Sequence, residues 1–312
     1  MSLQAHFGPG GFLEGEVDWP RGVHALMGPS GSGKTTLLRH LAGLGEPGPA
    51  VTLDGSHWQA TAAKPLPPYR RPVAYVPQHP SLVPFKTIAS QIAWIQPGKS
   101  SAAPPVLDVS ALLSRFPKEL SGGQQQQVAL ARALAADQTV LLLDESLSQV
   151  DQNQRRRIMQ WLGRARPAPW IVFSTHQLSE ALQFSDTVTV IQEGRIFAAK
   201  TPDLLLQSPD NPAMARFLGY CGSFPAGDGR HLLVHPARTL IGAYPGLGLV
   251  LEADVHSVPG PGPLERRWSA RRQGKTVSWQ GLAASPVDRA RAITLIAAAA
   301  VPYSLESQEE SP

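Results

Sequence analysis

Gly28-Pro29-Ser30-Gly31-Ser32-Gly33-Lys34-Thr35 is the stretch on which the reading of this chain turns. Its spacing is G-x-x-x-x-G-K-[ST]. An apolar run, Val23 to Met27, comes before it, and Leu37, Leu38, Leu41 and Leu44 follow at helical spacing. The motif needs that context of strand, glycine loop and helix start. Glycines let backbone N–H groups converge on phosphate oxygens, and the helix N-terminus adds its positive dipole end. Lys34 is the residue type that neutralises phosphate charge, and the Thr35 hydroxyl is a ligand type suited to Mg²⁺. Thr36 completes the phosphate-binding set.

Working outward, Thr139 to Leu143 is a continuous apolar run, the pattern of a strand covered on both faces. It ends in Asp144-Glu145, where open α/β sheets place ligand-binding groups. Leu120-Ser121-Gly122-Gly123-Gln124 opens a helical segment that runs to about Ala136. Ser121 is a natural N-cap, and the two glycines leave N–H groups open to an anion. Val73 to Val76 reads as a strand followed by Pro77-Gln78, and Trp170 to Ser174 as a buried strand followed by Thr175-His176. Residues 85–118 read as helical, with a loop from Pro97 to Pro105. A hairpin is expected at 187–192 and 195–199 around Glu193-Gly194. Strands alternating with helices to about residue 200 predict an α/β domain with a largely parallel sheet, of the P-loop NTPase class.

Composition bounds the alternatives. The 312 residues are 42% hydrophobic and 17% charged, which excludes a disordered polymer. A net charge of +4 is compatible with phosphate ligands or an anionic membrane surface and gives no argument for nucleic acid. Cys221 stands alone, so no intrachain disulfide forms and a reducing compartment fits. No apolar run reaches the ~18 residues of a membrane span, and the N-terminus lacks the pattern of a signal peptide. The expected location is therefore the cytoplasmic face of the membrane, through a partner.

The order of the motifs is more specific than any one of them. A phosphate loop, Gln78, Leu-Ser-Gly-Gly-Gln, Asp144-Glu145 and His176 together resemble the nucleotide-binding domain of ATP-binding cassette (ABC) proteins, over about residues 1–218. The resemblance implies that Gly28, Pro29, Ser30, Gly31, Ser32, Gly33, Lys34, Thr35 and Thr36 bind ATP. It implies that Thr35, Gln78 and Asp144 attend Mg²⁺, and that Glu145 is the general base, with Gln78 and His176 as its catalytic neighbours. Ser121, Gly122, Gly123 and Gln124 form the signature loop, which in this family meets the nucleotide held by a second subunit. Ser148-Gln149-Val150-Asp151 matches the D-loop, which crosses that interface. Phe7, or Phe12, is expected to stack on adenine. Two positions depart from the family pattern: Gln127 stands where Arg or Lys is usual, and Ser146 where Pro is usual.

With one set of motifs and no membrane span, the resemblance implies a homodimer working with separate permease subunits and a solute-binding protein. Beyond about residue 220 the composition shifts to short strands split by Pro/Gly turns. This divides the chain into an ATPase domain (1–220), a small β-rich regulatory domain of the TOBE type (221–303) and a loose acidic tail (304–312). Residues 221–229 read as a linker, and Arg266, Arg267, Arg271, Arg272 and Lys275 as a charged strand edge around Trp268. Residues 53–58, 66–72 and 112–117 are similar to molybdate-import ATPases. Sulfate, iron(III) and thiamine importers are the sister readings. A non-transport ABC ATPase is the reading from another class, and a small-molecule kinase would need no Leu-Ser-Gly-Gly-Gln.

Overall fold

A computed structural model describes residues 1–45, 50–59, 65–95, 104–226, 230–234, 239–241, 249–259, 265–272, 275–282, 289–295 and 300–301. The chain divides into two compact units, 1–202 and 203–312.

In the first unit, β1 (Ser2–Phe7), β2 (Gly15–Pro20), β3 (Gly22–Met27), α1 (Lys34–Leu41), β4 (Ala50–Leu53), β5 (Ser56–Gln59), β6 (Val73–Val76) and α2 (Ile88–Ile95) come first. Then follow α3 (Gly122–Ala135), β7 (Val140–Asp144), α4 (Gln152–Ala165), β8 (Trp170–Thr175), α5 (Leu178–Phe184), β9 (Thr187–Gln192) and β10 (Arg195–Ile196). Six strands form one sheet in the order β10-β9-β3-β8-β7-β6, and β2-β1-β4-β5 form a second. The first sheet is parallel except for β10, and the second is antiparallel. Every residue of β3, β7 and β8 is buried, which is why these strands read as unbroken apolar runs. Leu37, Leu38 and Leu41 of α1 share a core with Leu3, Trp19 and Val51 of the second sheet and with Leu142 and Val172 of the first. That shared core fixes the start of α1 beside the C-terminal ends of the parallel strands.

The expected hairpin is present: Glu193 and Gly194 both take positive φ between β9 and β10, and β10 covers only the first two residues of the expected strand. The reading of residues 85–118 as helix is corrected. Among the described residues of this stretch only Ile88–Ile95 is α-helical; 105–107, 110–112 and 117–119 are single 3₁₀ turns. Pro105 and Pro117 open two of these turns, and Asp108 has φ 46, so no continuous ladder of hydrogen bonds forms.

The second unit holds α6 (Pro202–Gln207), of which Pro202 belongs to the first unit, and α7 (Pro212–Phe217). The ATPase domain expected over 1–220 includes both helices. After them come β11 (Gly222–Pro225), β12 (His231–Val234), β13 (Thr239–Ile241), β14 (Leu249–Pro259), β15 (Glu265–Arg272), β16 (Lys275–Leu282), β17 (Arg289–Leu295) and β18 (Ala300–Val301). They form sheets β11-β12-β18 and β13-β17-β14-β15-β16 around a core that includes Phe224, Val255, Trp268 and Ile293. The linker reading of 221–229 is corrected: Gly222–Pro225 is a paired strand, anchored by fully buried Phe224. The four arginines of the basic cluster are not on an edge either, because β15 lies between β14 and β16, with Trp268 opposite Trp279, whereas Lys275 opens β16, the end strand of that sheet. Residues 235–238, 260–264 and the acidic tail 304–312 lie outside the described residues.

Candidate functional site

The phosphate-loop motif forms the turn between β3 and α1. Gly28 has φ 152, and a Cβ there would lie 2.2 Å from the Ile191 carbonyl oxygen and 2.6 Å from Ser32 Oγ. Gly33 has φ 112, and its Cβ would meet Leu13 at 2.4 Å. Both positions therefore exclude any side chain. Gly31, with φ 77, has open space around its Cβ direction, so the crown of the loop is accessible. Lys34 opens α1 and folds back over the loop, its Nζ donating to the carbonyls of Gly28 (2.9 Å) and Pro29 (3.0 Å). It also lies 4.0 Å from Glu145 Oε1. Burial holds its pKa below the ordinary lysine value, against the opposing pull of Glu145 and Asp144.

Asp144 closes β7 and is 2% exposed. Three hydroxyls donate to it: Thr35 Oγ1 at 3.2 Å, Ser174 Oγ at 2.8 Å and Tyr75 Oη at 3.0 Å. Burial, and then the Asp144 charge, push the Tyr75 pKa far up, so that phenol stays a donor. Glu145 takes a left-handed backbone, φ 44, which breaks the strand. Its N–H donates to Ser174 Oγ at 2.9 Å, and Gln78 Nε2 donates to its Oε2 at 3.4 Å. His176 follows β8, where Thr175 pairs with Met27 and Ser174 with Asp144, and its side chain is exposed. The parallel register thus brings the phosphate loop, Asp144, Glu145 and His176 to one end of the sheet.

Ser121 to Gln124 stand elsewhere. Ser121 caps α3 by accepting from the Gln124 N–H, while Gln124 Oε1 accepts from the Ser121 N–H at 3.0 Å, a reciprocal capping box. Among the described residues, no hydrogen bond or ion pair joins 121–124 to 28–36. Their neighbours are the 148–151 loop instead. A Cβ on Gly122 would fall 1.8 Å from Gln149 Oε1, and one on Gly123 would fall 2.7 Å from the Gln149 carbonyl oxygen.

The residues fit a magnesium nucleotide. Thr35 and Asp144 offer hard oxygen ligands side by side, and Lys34 is a buried cation whose Nζ donates only to carbonyls at hydrogen-bonding distance. Ser32 Oγ, inside the loop, is buried with no partner. A family model described as ABC transporter matches residues 19–148. The sulfate/thiosulfate import ATP-binding protein CysA of Bacillus cereus is 34% identical over 258 residues, covering 77% of this chain and 68% of that protein. The chain belongs to the ABC transporter ATP-binding family. The Fe(3+) ions import ATP-binding protein FbpC of Pseudomonas fluorescens is 39% identical over 213 residues, covering 65% of this chain and 60% of that protein. A bacterial Atm1-family ABC exporter solved with ATP bound is 28% identical with a TM-score of 0.56, covering 69% of this chain and 41% of that one. The chain spans about 60% of the length of several of the curated relatives it matches.

Within this cassette, sequence reasoning missed four residues that hold the site. Tyr75 and Ser174 anchor Asp144, as described. Gln126 is fully buried on α3 and bonds to both the Gln78 and the Ser148–Gln149 segments. Arg155 of α4 pairs with Glu180 at 2.7 Å, and Thr175 Oγ1 donates to the same Glu180 oxygen at 2.8 Å, beside His176. Gln126 did leave a signal: a polar residue on the face that Ala129 and Leu130 bury. Ser146, at the family's usual proline position, has a buried hydroxyl with no partner, as does Arg155 Nε. Both residues line a cavity of about 10 Å³ beneath Glu145, room for about one water. Of the two aromatics, Phe7 is 6% exposed and packs edge-on against His40. Phe12 is 64% exposed, and its ring edge lies 3.2 Å from the Cβ direction of Gly33.

Proposed function

We propose that this chain is the ATP-hydrolysing subunit of an importer, acting as a homodimer on separate permease subunits fed by a solute-binding protein. The observation that carries this reading is the convergence of Lys34, Thr35, Asp144, Glu145 and Gln78 at one end of the parallel sheet. In this reading the loop N–H groups and Lys34 bind the phosphates, and Phe12 rather than Phe7 offers a ring face to adenine. A bound Mg²⁺ supplies positive charge against the β- and γ-phosphates, and Thr35, Asp144 and Gln78 are the residues that would hold it. Glu145 accepts the proton of the attacking water, and Gln78 orients that carboxylate. His176 follows Thr175, the partner of Met27, and in this reading its exposed side chain is the one that meets the terminal phosphate.

The remaining assignments follow from the same reading. Among the described residues, signature residues 121–124 make no hydrogen bond or ion pair with the subunit's own phosphate loop, which is the reason to expect a second copy. Phe85, Trp94 and Ile95 expose apolar side chains on and near α2, a surface suited to a membrane partner at the cytoplasmic face. No helix among the described residues is long and apolar enough to cross a membrane. Residues 221–303, whose described strands share a β core, are assigned a regulatory role. For the solute we propose an inorganic ion. The named relatives import sulfate/thiosulfate and Fe(3+). Molybdate, to which short stretches of sequence are similar, has no counterpart among them. It remains in the test because it shares the tetrahedral dianion form of sulfate.

The test is phosphate release from Mg²⁺-ATP by the purified chain and by Glu145→Gln. Turnover is expected to fall by about 10²–10⁴-fold with ATP affinity retained. Undiminished turnover in Glu145→Gln would refute the base assignment. The solute is read by isolating the permease complex and comparing its stimulation by binding protein loaded with sulfate, molybdate or iron(III).

A further inference from the structure

We propose that Gln126 is a positioning residue that couples the nucleotide-facing loop of a subunit to its partner-facing loop. The inference rests on the cassette reading above. Gln126 lies within α3, five residues beyond the capping Ser121, with a side chain that is 0% exposed. Its amide is used at both ends. Nε2 donates to the Gln78 carbonyl at 3.3 Å and to Ser148 Oγ at 3.2 Å. Oε1 accepts from the Gln149 N–H at 2.8 Å.

Each of those partners leads to a different half of the machinery. The Gln78 side chain donates to Glu145 at 3.4 Å, so this loop faces the subunit's own phosphate site. Gln149 packs its side chain against Gly122 and its carbonyl against Gly123, so that loop shapes the signature surface. One buried amide therefore pins both loops to the same helix. A shift of Ser148 or Gln149 as a second subunit approaches moves the Gln78 backbone, and with it the amide that orients Glu145.

The chemistry at position 126 is narrow. Two donors must meet a carbonyl and a hydroxyl, and one acceptor must meet a backbone N–H. Glutamate keeps the acceptor but turns an anionic oxygen on the Gln78 carbonyl. Leucine approximates the volume and loses all three bonds, leaving buried polar groups unmatched.

The experiment uses the full chain as Gln126→Glu, Gln126→Leu, Ser148→Ala and the double variant Gln126→Leu/Ser148→Ala. In both Gln126 variants kcat is expected to fall about 10- to 100-fold, with ATP affinity within about 2-fold of wild type. The double variant is expected to lose no more than Gln126→Leu alone, because the two groups act as a unit. Hydrogen exchange at the Gln149 amide is expected to quicken about 10-fold or more in Gln126→Leu. Unchanged exchange there overturns the proposal whether or not the chain hydrolyses ATP, which separates its failure from failure of the ATPase reading. Unchanged kcat, or a fall in kcat matched by an equal loss of ATP affinity, also overturns it.

Discussion

The phosphate loop and the signature loop are both glycine-rich turns that open a helix, yet they are built for opposite situations. In residues 28–35 the base is buried and the crown is open: Lys34 is 7% exposed, Asp144 beside it 2%, and Gly28 and Gly33 admit no Cβ, whereas Pro29, Ser30 and Gly31 are exposed. Residues 121–124 are partly exposed and satisfied among themselves by the capping box. The first loop is therefore preorganised before any ligand arrives, by glycines at positive φ where a side chain would be strained. The second is relaxed and complete as a helix start, and its unused capacity faces outward. Under the proposed dimeric reading, a single copy thus carries two unlike halves of a site.

Substitutions can break that contrast in a graded order. The largest effect is expected from Lys34→Ala, which removes charge-assisted contacts to phosphate. ATP affinity should weaken roughly 10- to 150-fold by equilibrium titration. Gly123→Val comes next, because its side chain meets a backbone oxygen that cannot swing aside. Turnover should fall roughly 10- to 100-fold, while titration of ATP onto the isolated subunit stays near wild type. If affinity fell equally, the separation of the two halves would be wrong.

Ser121→Ala removes the cap from α3 and should lower unfolding free energy by about 1 kcal/mol in urea denaturation. The smallest effect is a pH dependence at Lys34. Its folded pKa is depressed, so the unfolded chain holds this proton more tightly. The resulting penalty is full below the folded pKa and is relieved as pH rises toward the ordinary value of 10.5. Wild-type stability should therefore gain on that of Lys34→Met as pH rises toward 10, measured by thermal melts without nucleotide.

What could be read from sequence divides along physical lines. The loop at 28–35, the buried strand ending at Asp144 and the cap at Ser121 were legible because each depends on local residue type and spacing. Tyr75, Ser174 and Gln126 were not, since their roles arise from register between distant strands and from packing between loops. The misreading of 105–118 has a local cause. Val109 and Leu112 are buried and three residues apart, as on a helix face, but the chain enters through a turn that begins at Pro105 and then passes through a left-handed Asp108. Periodicity records which side chains are covered, and several backbones can cover the same ones. The basic residues of β15 failed as an edge signal for a similar reason, since strand order is a long-range property.

One earlier detail has a mechanical consequence. Asp151, the last residue of the loop that packs on the signature glycines, is also the N-cap of α4, accepting from the N–H groups of Asn153 and Gln154. The loop therefore cannot be displaced without uncapping a rod that, at 14 residues, is about 21 Å long. Arg155, in the first turn of that rod, pairs with Glu180, which also accepts from Thr175 at the end of the strand before His176. The loop, the start of the helix and the end of the strand before His176 are thus tied together by one cap and one largely buried ion pair.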